Sequence, residues 1–131
     1  MENIHNKTKT LETVNLFDHE ILLTKNPINI ATTYPDGQPN LSIATAIEIY
    51  DQTTLLICNK QMVNTPDNVL FNNKITLTCF DSDFVGIRLF GTAEYLTQGE
   101  LFEIVNKKYS GGRSTPKGCI AIKVNKIDSI I

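Results

Sequence analysis

The sequence predicts a mainly β domain in which six strands close into an antiparallel barrel braced by three short helices. Two observations carry this. Between residue 28 and the C-terminus, apolar and polar residues alternate over several short runs, the period of a half-buried strand. Turn-forming clusters such as Pro35-Asp36-Gly37 and Asp81-Ser82-Asp83 separate those runs. Helical stretches do not alternate regularly with strands, so a doubly wound parallel sheet is not indicated, and closing an antiparallel sheet removes its exposed edges.

After a polar leader over residues 1–10, Leu11, Val14, Phe17 (or its neighbour Leu16), Ile21 and Leu22 recur mostly at three- and four-residue steps. With Thr10 as cap they read as one amphipathic helix ending near Lys25-Asn26-Pro27. Residues 28–33 are rich in β-branched side chains. Proline then fixes φ at position 35, and Gly37 accepts the positive φ of a turn. Residues 41–50 read as one strand, Asp51-Gln52 as a turn and 55–58 as the next strand, so 28–59 forms a three-stranded meander. A helix over 66–71 stops at Asn72-Asn73, and strands follow over 74–80 and 85–96. Gly91 inside the second marks a bend, a bulge or a close backbone approach. Thr97-Gln98-Gly99-Glu100 reads as a capping box that opens a helix to about residue 108. A Gly- and Ser-rich loop over 109–118 leads to a last strand from Cys119 onward.

At 131 residues the chain is one domain spanning 1–131. Its net charge of −2, with basic residues scattered among acids, gives no pull toward nucleic acid or anionic lipid. That balance also argues against an oligonucleotide-binding barrel, which needs a positive groove. No apolar run approaches the roughly 20 residues of a membrane span, and the polar start lacks a signal-peptide core, so a cytoplasmic protein is expected. Cys58, Cys79 and Cys119 are odd in number and unpaired by spacing, and they read as buried reduced thiols. His5 and His19 have no cysteine or acidic cluster beside them, so no metal site is indicated.

Asp81 and Asp83 flank a serine between two strand runs and read as a turn rather than an acid–base dyad. The segment 109–114 lacks Walker spacing and leads into a strand, so it reads as a loop, with Arg113 and Lys117 as candidate ligand contacts. No Ser/His/Asp or Cys/His set can be assembled, so any redox chemistry would belong to a cofactor. One stretch does suit an anion. Thr65 reads as an N-cap, Pro66 as the first helical residue and Asp67 as an acid at the positive end of the dipole. A helix start after a strand and a polar loop offers free backbone N–H groups to a phosphate. An ordinary strand–helix joint is the competing reading.

Four segments, taken in order, resemble the pyridoxamine 5'-phosphate oxidase-related family of FMN-binding split barrels, and are closest to its small bacterial FMN-binding proteins. They are Asp36-Gly37-Gln38-Pro39-Asn40-Leu41-Ser42, Leu56-Ile57-Cys58-Asn59, Asn64-Thr65-Pro66-Asp67-Asn68-Val69 and Phe90-Gly91-Thr92-Ala93-Glu94. The resemblance covers residues 15–131. It implies a six-stranded antiparallel split β-barrel of Greek-key type that forms a homodimer with two FMN sites along the interface. It places the flavin ring across Ile43, Ala44 and Thr45. Ile57, Cys58, Asn59 and Lys60 would line the ring and ribityl chain, and Asn64 and Thr65 would meet the phosphate.

The activity this implies is that of a flavin-dependent oxidoreductase or electron carrier. A non-catalytic module holding a flavin, a haem or a deazaflavin on the same barrel is the alternative. The chain departs from the family pattern in two places. Asn64 stands where a basic residue is usual, leaving Lys60, Arg88, Arg113 or Lys117 to compensate. The C-terminal Arg/His motif of true pyridoxamine phosphate oxidases is absent, so oxidation of that substrate is not expected.

Overall fold

The computed structural model describes residues 13–112 and 114–130; His5, the proposed cap Thr10, the helix start at Leu11 and Arg113 lie outside them. Seven strands form one antiparallel sheet in the order β2-β1-β5-β6-β7-β4-β3. They are β1 (Ile28–Thr33), β2 (Pro39–Ala44), β3 (Ile47–Ile49), β4 (Thr54–Asn59), β5 (Lys74–Phe80), β6 (Gly86–Leu96) and β7 (Gly118–Ser129). The helices are α1 (Glu20–Lys25), α2 (Asn64–Phe71) and α3 (Glu100–Tyr109).

The seventh strand comes from the expected strand 41–50, which divides at Thr45-Ala46. Its first half pairs with β1 and its second with β4, and these lie at opposite ends of the strand order. The expected meander over 28–59 is therefore two hairpins rather than one three-stranded unit. Three residue steps separate Ala44 from Ile47, a reach of about 11 Å at most, so the sheet has to curl until its two ends meet. The barrel follows from this short bridge.

Alternation places the core inside that curl. Ile28, Ile30, Ile75, Leu77, Leu89, Ile120 and Ile122 are all buried in one cluster. β4 is buried on both faces: Leu55 and Ile57 join that cluster, while Leu56 and Cys58 pack with Val105, Cys119 and Ala121 beneath α3. This is why 55–58 reads as an uninterrupted apolar run rather than as an alternating strand.

The first helix is shorter than the apolar spacing predicts. Leu16–His19 forms a 3-10 turn and α1 starts only at Glu20. The Asn15 side chain accepts the Phe17 N–H at 3.1 Å, and the Leu16 N–H donates to the Gln52 carbonyl at 2.8 Å. Those two bonds hold the chain in a non-helical entry that the apolar spacing cannot report. The capping box also fails to form: Gly99, at φ 96°, precedes α3, and the Glu100 carboxylate accepts the Tyr50 hydroxyl at 2.9 Å instead.

Gly91 is a bulge. The β6–β7 register shifts at Phe90/Gly91, and a Cβ on Gly91 would sit 2.2 Å from the Lys123 carbonyl oxygen. The Asp81 carboxylate is spent on the β5–β6 turn, accepting the Asp83 and Val85 N–H groups at 2.8 and 3.2 Å.

Candidate functional site

The break between β2 and β3 is the centre of the candidate site. Residues 43–45 lead into it, and the Cys58 N–H donates to the Ala46 carbonyl at 2.9 Å just beyond it. β4 ends at Asn59, a four-residue loop over 60–63 follows, and α2 begins at Asn64. Thr65 then reaches back to β2: its Oγ1 lies 2.7 Å from the Ser42 Oγ and accepts from the Asn40 amide at 3.3 Å. The structure thus brings the three predicted segments, 43–45, 57–60 and 64–65, together around one strand break.

The helix start differs from the sequence expectation. α2 opens at Asn64, one residue before the expected cap, and Val63 precedes it with no side-chain capping bond. Thr65 is the second helical residue and is 1% exposed, so its hydroxyl cannot cap. Hydrogen-bonded contact with β2 competes with capping, and here the strand wins. Pro66 sits third, where its missing N–H still falls among the four donors that have no intrahelical acceptor. The free donors left for an anion are the backbone N–H groups of Asn64 and Thr65. The Asp67 N–H lies 3.5 Å from the Val63 carbonyl. The exposed Asp67 carboxylate in this first turn offsets part of the attraction for a phosphate.

The other candidates divide into exposed and spent groups. Ile43 is 65% exposed and Thr45 is exposed, whereas Ala44 and Ile57 are buried. Ile57 therefore reaches a ligand only through its backbone. The Cys58 thiol lies in the apolar cluster under α3, where burial pushes its pKa up and the Lys60 charge partly opposes that rise. The Asn59 side chain is fully used: its amide donates to the Met62 carbonyl at 3.1 Å and the Tyr95 hydroxyl at 2.8 Å, and its oxygen accepts the Met62 N–H at 2.7 Å. Lys60 is half-buried on the loop.

Of the other basic residues named as compensators, Arg88 and Lys117 can also be placed. The Arg88 Nε donates to Asp128 at 3.1 Å, and its guanidinium lies 5.8 Å from the Phe90 ring centroid, so that cation is already engaged. The Lys117 N–H donates to the Asn59 carbonyl at 2.7 Å, which sets residue 117 beside the loop over 60–63. Ser42, Asn40 and Tyr95 were not singled out from sequence. Asn40 and Ser42 carry a signal nonetheless: they occupy the inward positions of β2, where a barrel strand normally places apolar side chains.

All three described cysteines are buried. Among the described residues no group of three or more His, Cys, Asp or Glu side chains could hold a metal ion, and no helix is long and apolar enough to cross a membrane.

Residues 19–130 match the family model described as pyridoxamine 5'-phosphate oxidase. A protein of Methanocaldococcus jannaschii with no assigned role is 33% identical over 122 residues, 90% of this chain and 78% of the relative. The crystal structure of HupZ from Group A Streptococcus superposes with a TM-score of 0.81 at 27% identity, covering 87% of this chain and 92% of that one. An FMN-binding protein from Syntrophomonas wolfei superposes with a TM-score of 0.75 at 17% identity, covering 97% and 91%. An F420 reductase gives 0.64 at 17% identity, covering 84% and 94%.

Proposed function

The chain belongs to the pyridoxamine 5'-phosphate oxidase family, and from that premise we propose that it is a homodimeric FMN-binding protein acting as a flavin-dependent oxidoreductase or electron carrier. One observation carries the reading: segments 43–45, 57–60 and 64–65 meet around the β2–β3 break, with Thr65 tied to Ser42. The similarity to an FMN-binding protein supports the same ligand.

The residues present fit such a group chiefly through backbone. The N–H groups of Asn64 and Thr65 would receive the phosphate, with Lys60 on the preceding loop and Lys117, whose N–H bonds to the Asn59 carbonyl, as candidate sources of positive charge. The exposed Ile43 and Thr45 with the backbone of residues 57–59 would line the ring and ribityl chain, Ala44 also contributing through backbone. Bound FMN would supply hydride or electron transfer. The chain's own part is to orient the ring and exclude water from one face.

With Asn64 in place of a base, one charge-assisted contact is lost, worth about 1.5–3 kcal/mol. Leu41 and Ile43, 75% and 65% exposed on the edge strand β2, support a second copy packing along this edge. Three buried free thiols suit a reducing, cytoplasmic setting.

Flavin fluorescence titration of the wild type and of Thr65→Ala/Lys60→Ala tests the reading. Quenching by the wild type and an affinity at least about tenfold weaker in the variant are expected. A wild type that leaves FMN fluorescence unquenched overturns it, and equal affinities would place the pocket elsewhere. The similarity to an F420 reductase makes a deazaflavin the second ligand to titrate.

A further inference from the structure

We infer that Tyr95 is a positioning residue that acts through Asn59 to fix the loop over 60–63, and so holds Lys60 and the start of α2 in register for a bound phosphate. The inference rests on the flavin reading above and names a residue that reading does not use.

Asn59 is 1% exposed and its side chain bridges both backbone groups of Met62, closing the loop at its base. One amide hydrogen remains, and Tyr95, 36 residues away on β6, accepts it at 2.8 Å. The Met62 N–H fixes which way the amide faces, because a flipped amide would set N–H against it, and in that orientation the remaining amide hydrogen points at the Tyr95 hydroxyl. The Tyr95 ring is held in turn from the far side. A Cβ on Gly118 would lie 2.3 Å from both the ring Cζ and the hydroxyl oxygen, so only glycine lets the ring stand there. Gly118 also pairs directly with Asn59 across β4 and β7, and the Lys117 N–H donates to the Asn59 carbonyl. Three strands therefore converge on one amide. Beyond it the chain carries half-buried Lys60, exposed Gln61 and exposed Val63 before α2 begins. A loop closed in this way offers its charge and its free N–H groups at little ordering cost when a ligand arrives.

Tyr95→Phe removes one oxygen and keeps the ring packed against the core. Amide hydrogen exchange on the ligand-free protein should then quicken about three- to tenfold at Met62 and its neighbours, with β5 amides unchanged. FMN affinity should fall by a similar factor. Gly118→Ala, which pushes the ring aside, should reproduce the exchange pattern. Unchanged exchange over 60–63 in Tyr95→Phe refutes the positioning role. Quickened exchange with unchanged FMN affinity refutes its link to the ligand. A wild type that binds no FMN refutes the flavin reading instead, and the exchange measurement still decides the role of Tyr95 in shaping the loop.

Discussion

Thr65→Val keeps the shape of a buried β-branched side chain and deletes one hydroxyl. In the native structure that hydroxyl lies 2.7 Å from the Ser42 Oγ and accepts from the Asn40 amide, on a residue 1% exposed. Valine leaves Ser42 without its partner at this site, and Asn40 loses an acceptor in a half-buried setting. Leaving a buried polar group unsatisfied costs about 1–3 kcal/mol, and partial access of water to β2 puts the expected loss near 2 kcal/mol. For a chain of this length that is a drop of about 8 °C in melting temperature. Thr65→Ser is the control: it keeps the hydroxyl and gives up one methyl, about 0.8 kcal/mol. Urea denaturation of the three proteins, read by far-UV circular dichroism, measures both differences. If Thr65→Val lies within about 0.5 kcal/mol of wild type, the bridge between α2 and β2 is not made as described. The argument for a helix start held against the strand break then fails, whatever the protein binds.

Further outcomes are expected elsewhere. Gly91→Ala drives a methyl against the Lys123 carbonyl, and because backbone cannot yield as a side chain does, it should lower stability by about 1–3 kcal/mol; an unchanged urea midpoint would refute the close approach. Burial raises the Cys79 thiol to about 11 and Cys119 to about 12. The unfolded chain ionises first, so it holds fewer protons than the native state between about pH 9 and pH 12, and stability, full below that window, should fall as pH rises through it. Urea midpoints at about pH 8 and pH 10.5 check this, and a Cys79→Ala/Cys119→Ala protein should lose less stability over the same interval. Ile43→Lys places a charge on the exposed edge of β2 and should give a monomer by sedimentation equilibrium with an unaltered circular dichroism spectrum; a wild type that is itself monomeric counters the dimer proposal.

Much of the secondary structure was legible because its causes are local. The 28–33 strand, the turn with Gly37 at φ 92°, the end of α1 before Pro27, and the strand at 74–80 each depend on residues within a few positions of one another. The reading failed where a distant partner competed. The entry to the first helix was reset by Gln52, the capping box by Tyr50, and the cap at Thr65 by Ser42. The candidate site follows the same division. Its segments were found through family resemblance, but periodicity offers no sign that Asn59 is consumed by Met62 and Tyr95 or that Arg88 is engaged by Asp128.

By itself, the sequence determined an antiparallel β domain with short helices, three thiols placed in apolar runs, and a helix start following a strand and a polar loop. These are properties of side-chain alternation and turn chemistry, which act over a few residues. Only the tertiary structure decided that the strand over 41–50 breaks so that its halves join opposite ends of the sheet, and that the Thr65 hydroxyl faces β2 instead of capping its own helix. A buried polar group takes whichever partner the closed barrel brings within reach, and here that partner lies 23 residues away in the chain.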